Sequence, residues 1–134
     1  MYLKNKYRHA VTIMLDIMCH SETHSLPLRV SDMADKHAIS ISYIENLFVS
    51  LVNAALVKGM RGPNGGYTLG KAPHQITVAE IVRAVSAPNK FNDCGKADCR
   101  HGVCIENFLW ENTKQEIDLY LSHITLSDLV ASKL

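Results

Sequence analysis

The sequence predicts a mainly α-helical chain with one small β-hairpin. Three observations carry that expectation. Apolar residues recur at spacings of three and four along successive segments, the period of an amphipathic helix. Hydroxyl residues stand just ahead of several of these segments, where helix N-caps belong. A single cluster of turn formers, "GPNGG" at 62–66, separates two short runs that can pair as strands.

The first helix is expected over 5–19, with Ala10, Met14, Ile17 and Met18 on one stripe joined by Val11 and Leu15. Cys19 reads as packing on that helix. Pro27 and the polar "HSETHSLPL" break it, and a second helix runs from about Leu28 to His37 with Val30, Met33 and Ala34 inward. A third follows a short connection, capped by Ser40 or Ser42 and burying Ile44, Leu47, Phe48, Leu51 and Val52. In "LVKGMRGPNGGYTLG" two strands flank a turn whose i+1 position suits Pro63, while Asn64, Gly65 and Gly66 tolerate positive φ. Thr77, three residues before Glu80, forms a capping box ahead of Val78, Ile81, Val82 and Val85. Pro88 ends that helix, and a cysteine-containing loop leads to a long helix over about 105–123 carrying Ile105, Leu109, Ile117, Tyr120 and Leu121. A last short helix is capped by Thr125 with Asp128 three residues on.

Composition bounds what such a chain can be. Its 134 residues, 47% of them hydrophobic, suffice for the core of one compact domain with or without a helical arm. The formal charge of +1 conceals an asymmetry: residues 1–71 hold eight Lys/Arg against five Asp/Glu, residues 72–134 six against eight. The N-terminal half is therefore the side expected to meet a polyanion. Asp16 interrupts the apolar run after Lys4, Lys6 and Arg8 too early for a signal peptide, and no segment approaches the roughly 20 apolar residues of a membrane span. A cytoplasmic protein with reduced thiols is expected, without membrane or small-molecule substrate. An enzyme is excluded, since no nucleophile–base–orienter set is visible and the glycine-rich stretch lies on a hairpin, where it cannot cradle phosphate at a helix N-terminus.

Two helices joined by a short turn, then a hairpin, make a winged helix-turn-helix. Such a unit puts the N-terminal part of its second helix in the major groove of double-stranded DNA and its wing against a minor groove. The side chains opposite the apolar stripe of that helix are Ser40, Ser42, Tyr43, Glu45 and Asn46. Serine, tyrosine and asparagine bond phosphates or base edges, and Glu45 can accept from a cytosine N4. Arg61, beside Gly62 at the wing's base, suits a narrow minor groove, and Lys4, Lys6 and Arg8 suit phosphates.

The remaining motif is "DCGKADCRHGVC", residues 93–104, with Cys94, Cys99 and Cys104 separated by four residues each. Thiolates are soft ligands for zinc, copper(I) or iron–sulfur clusters. Structural zinc usually takes two well-separated close pairs, whereas an even trio wrapped by Gly95 and Gly102 suits one compact cluster. The competing reading is a zinc-binding or thiol-switch interaction module without a cluster.

"KYRHAVTIMLDI", "ISISYIENLF", "RGPNGGYTLGK", "ITVAEIVRAV" and "HITLSDLV" together resemble the Rrf2 family of bacterial winged-helix regulators over nearly the whole chain. The resemblance implies a winged-helix DNA-binding domain over 1–86, a cluster-binding loop over 87–104 and a dimerisation and C-terminal helix region over 105–134. It implies a homodimer on a DNA operator, a repressor-type regulator sensing iron or cluster status, redox or nitric oxide. It also implies that Cys94, Cys99 and Cys104 hold an iron–sulfur cluster, 2Fe–2S in preference to 4Fe–4S. Cluster-binding relatives carry a fourth ligand, histidine, three residues after the last cysteine, and here Asn107 stands at that place. Their cysteine gaps are commonly one residue longer. His101, Glu106, His9 of the partner subunit, or an exogenous thiol or water are the candidates for the vacant ligand position. A second apolar face on the long helix, with Phe108 and Trp110 off the main stripe, independently favours a partner.

Overall fold

The computed structural model describes residues 5–86 and 102–131, with 102–107 described by backbone alone. Six helices and one hairpin follow in order: α1 Asn5–Thr23, α2 Val30–His37, α3 Ile41–Asn53, β1 Val57–Met60, β2 Gly66–Leu69, a 3-10 turn Pro73–Gln75, α4 Val78–Val85, α5 Gly102–Ser122 and α6 Leu126–Ala131. The expected winged helix-turn-helix with a long C-terminal helix is what forms.

Local chemistry sets the boundaries. Ser40 caps α3, its side-chain oxygen accepting the Tyr43 N–H at 3.2 Å. Thr77 and Glu80 form the reciprocal capping box of α4, and Thr125 and Asp128 exchange the same pair of bonds ahead of α6. Between α2 and α3 the chain turns through Ala38, whose left-handed backbone (φ 54°) ends α2 as its N–H bonds the Ala34 carbonyl.

A single apolar core gathers Ile13, Met14 and Ile17 of α1, Met33 of α2, Ile44, Phe48 and Leu51 of α3 and Ile81 of α4. α6 returns to close it. Val78 N–H donates to the Ile124 carbonyl and Leu126 N–H to the Ile76 carbonyl, and Leu126 is fully buried. Arg83 of α4 clasps Asp118 of α5 through both carboxylate oxygens, tying the long helix to the domain.

Three apolar assignments differ from expectation. Val52 is exposed, because α3 rotates it toward the wing groove while Leu51 takes the core position. Cys19 is exposed as well, since Ile17 and Met18 complete the buried stripe of α1 and residue 19 falls on its outer side. Of the stripe anticipated on α5, Leu109 and Tyr120 are exposed and Ile117 and Leu121 half-buried, while the side chain of Ile105 lies outside the described residues; Phe108, Trp110 and Leu119 are exposed as well.

Candidate nucleic-acid interface and cysteine loop

The wing is built to stay beside α3. β1 and β2 pair antiparallel from Val57↔Leu69 to Met60↔Gly66. The Gly65 N–H closes the tip onto the Gly62 carbonyl at 2.9 Å, with Pro63 at the turn's i+1 position. Gly62 has φ +113°, a conformation that favours glycine. A third strand-like pairing holds the sheet to the helix-turn-helix, as Leu28 and Tyr67 exchange backbone bonds of 3.1 and 2.9 Å. Gly66 is required there, because a Cβ would lie 2.4 Å from the Leu28 carbonyl oxygen. Arg29 reaches over the hairpin and donates through Nη2 to the Pro63 carbonyl at 3.0 Å. Under the wing, the rings of Tyr67 and Phe48 stack 3.9 Å apart.

Between α3 and this wing lies an open groove of about 640 Å³. Glu45, Arg61 and Gly62 line it together, with Arg29 and the exposed Val49, Val52 and Met60. Ser42 and Asn46 are exposed on the same outward side of α3, and Ser40 is exposed at its tip while serving as the cap. Tyr43 stands apart from the other candidates. It is half-buried, its hydroxyl 3.2 Å from Nδ1 of His9 and its ring edge-on to that imidazole. Arg8 is exposed and Lys6 half-buried at the start of α1, and neither lines the groove. Lys4 lies outside the described residues.

Arg29 and Val49 were not anticipated. Nothing in the local pattern links residue 29 to residue 63, whereas Val49, seven residues after Ser42, falls on the outward face by helical period and is missed only because it is apolar.

Cys94, Cys99 and His101 also lie outside the described residues, while Cys104 and Asn107 belong to the first two turns of α5. Among the described residues no group of three or more His, Cys, Asp or Glu side chains could hold a metal ion. The root of the loop is described. Ser86, the last residue before it, donates to the Val82 carbonyl at 2.6 Å, and its oxygen is 3.4 Å from the Tyr7 hydroxyl. The first two turns of α1 therefore touch both the loop's departure point, through Tyr7, and the recognition helix, through His9.

A capped recognition helix with an exposed outer face, beside a wing fixed by Leu28 and Arg29, defines a winged-helix DNA-binding transcriptional regulator. Residues 3–132 match the model of the Rrf2 family, described as an iron-dependent transcriptional regulator. The chain belongs to the Rrf2 family, and it is a regulator of the IscR type, not an enzyme. It is 40% identical over 132 residues to the transcriptional regulator IscR of Vibrio campbellii, covering 97% of this chain and 77% of the relative. With IscR of Photobacterium profundum the identity is 42%, over 97% of this chain and 76% of the relative. Among solved structures, T. potens IscR superposes with a TM-score of 0.75 at 28% identity, covering 100% of this chain and 89% of the other. CymR, the global cysteine regulator of B. subtilis, gives 0.72 at 28% identity over 98% of both chains. Among the described residues, no helix is long and apolar enough to cross a membrane.

Proposed function

We propose that the protein is a cytoplasmic, homodimeric repressor that reads a DNA operator with α3 and its wing and changes affinity according to an iron–sulfur cluster held by Cys94, Cys99 and Cys104. The observation that carries this reading is the pairing of a pinned wing and exposed α3 face with a three-cysteine loop rooted at Ser86. Ser40, Ser42, Glu45 and Asn46 approach the major groove, Arg61 with Gly62 the minor groove, and Lys4, Lys6 and Arg8 the phosphates. Tyr43 acts from beneath, positioned by His9.

The donor set suits the cofactor. Three thiolates are soft ligands of the kind that hold iron–sulfur clusters. Asn107 is a poor iron ligand, which leaves one coordination position for His101, a partner residue or an exogenous ligand. We assign a 2Fe–2S cluster, labile for want of that fourth histidine, so that iron supply, oxidants or nitric oxide alter its occupancy. When bound, the cluster would be held by Cys94, Cys99 and Cys104, and its gain or loss would be the sensed event. Tyr7 at the loop's root and His9 on Tyr43 then carry a change in the loop to the recognition helix.

Domain roles follow: residues 1–86 read DNA, 87–104 sense and 105–134 dimerise. The homodimer reading rests on the exposed apolar residues of α5, which a second copy would cover.

The test is anaerobic purification of the protein and its Cys99→Ala variant, followed by absorption spectroscopy and iron and sulfide analysis, with operator binding measured across salt. Visible charge-transfer bands with equal iron and sulfide, lost in C99A, and an affinity that falls steeply with salt are expected. A colourless protein holding zinc or no metal would overturn the cluster and leave the thiol-switch reading. Binding insensitive to salt would overturn DNA as the partner.

A further inference from the structure

We infer that Val49 is a specificity residue that reads a thymine through its 5-methyl group. The inference rests on the DNA-binding reading and extends it. Successive helical residues turn by about 100°, so Val49 lies within about 20° of Ser42 around α3, at the centre of the outward face. Its neighbours on that face, Ser42, Glu45, Asn46 and Asn53, are all exposed and polar. Val49 is 60% exposed, on the side opposite Ile44, Leu47 and Leu51, and takes no part in the core.

Valine is a poor choice for an exposed helix position on grounds of propensity alone: its branched Cβ loses rotamer freedom and its methyl groups face water. It becomes favourable where a complementary apolar group arrives. In the major groove the only apolar group on a base edge is the thymine methyl, which distinguishes A·T from T·A and from both G·C orientations.

The surroundings select DNA over an apolar protein surface. The groove that Val49 and Val52 line carries the guanidinium groups of Arg29 and Arg61 on its wing side, charges suited to flanking phosphates. Along the axis, seven residues at about 1.5 Å each put Val49 roughly 10 Å beyond Ser42. That distance is about three base-pair steps, which keeps both residues within one half-site.

The experiment selects binding sites from a random duplex pool with the anaerobically purified full chain. In the enriched duplex each thymine is then replaced singly by deoxyuridine, which removes only the methyl. Affinities are measured by fluorescence anisotropy for the wild type and Val49→Ala, whose far-UV circular dichroism confirms folding. One deoxyuridine position is expected to weaken the wild type about fourfold, the value of one buried methyl, and to leave V49A unaffected. An enriched site at which no deoxyuridine weakens the wild type overturns the inference while the DNA reading stands. A methyl effect that persists undiminished in V49A belongs to another side chain, the exposed Ile41 included, and overturns it equally. A pool yielding no enriched sequence overturns the DNA reading and this inference with it.

Discussion

Ala38 and Ala55 hold left-handed backbone, with φ of 54° and 60°, where a Cβ crowds the following carbonyl. Each sits at a corner of the DNA-reading unit: Ala38 between α2 and α3, Ala55 between α3 and β1. Glycine relieves the crowding, so Ala38→Gly is expected to stabilise the protein by about 1 kcal/mol, net of the backbone freedom glycine adds to the unfolded chain. A melting temperature about 4 °C higher in calorimetry would register it, and an unchanged or lower one would sink the account. Strain at an alanine is invisible in sequence, where "KHAIS" reads as ordinary helix and cap. Other residues were legible to differing depths. Met14, Met18 and Met33 are buried as their spacing required, and Ser40 caps α3. Val52 lies at the edge of the α3 stripe, where only packing decides which residue turns outward, whereas Cys19 reads as packing by residue type although the helical period puts it on the outer side of α1. Tyr43 shares the outward side of α3 by sequence. Its partnership with His9 spans 34 positions, beyond the reach of local patterns.

Among elements, the helices were readable because each carries its own cap and period, whereas the features that assemble them are long-range. The Leu28↔Tyr67 bridge and the Arg29–Pro63 bond join segments about 35 to 40 residues apart, with no local signature at either end. Arg29→Ala releases the wing tip without opening the core. The change in unfolding free energy is expected to be under about 1 kcal/mol, the exposed bond being worth little, while exchange of the Gly65 amide accelerates. Exchange unchanged at Gly65 would mean that the glycine turn alone holds the tip. The α4–α5 clasp makes a pH prediction. The Arg83 guanidinium, bonded to Asp118, holds that carboxyl below its ordinary value of 3.8. A carboxyl depressed in the folded state contributes stability above the unfolded value and loses it as pH falls through the lowered folded one. Asp118→Asn should therefore lower the melting temperature slightly at neutral pH and low salt, both partners being exposed, and converge with the wild type as the solution is acidified below about pH 4. A difference that persists in acid would assign the effect to packing in place of charge.

At the scale of the molecule, α5 is the element whose sequence pattern and single-chain environment disagree, and the disagreement is informative. It has no buried side chain among those described, yet Phe108 and Tyr120 are 68% and 69% exposed, with Leu109, Trp110 and Leu119 also uncovered. Eleven residues return a helix to within about 20° of the same face, so Phe108 with Leu109 and Leu119 with Tyr120 form two apolar clusters on one side, about 16 Å apart. Between them on that side stand Asn112, Gln115 and Glu116, which are exposed. Two large apolar clusters about 16 Å apart on the outer side of a helix that the exposed Arg83–Asp118 pair ties to the domain are a surface that water disfavours and a second copy can cover. The same arrangement would set the spacing of two recognition helices on DNA, which links assembly to operator geometry. A Phe108→Glu, Leu119→Glu double variant puts a charge in each cluster while leaving the core of residues 5–86 untouched. Sedimentation is expected to show the wild type as a dimer and the variant as a folded monomer, with a melting temperature that depends on concentration in the wild type alone. Operator affinity should then fall sharply, because two half-sites bound by separate monomers lose the effective concentration that a linked pair supplies. A variant that stays dimeric places the interface elsewhere, and a monomeric variant with undiminished affinity removes the dimer from DNA recognition altogether.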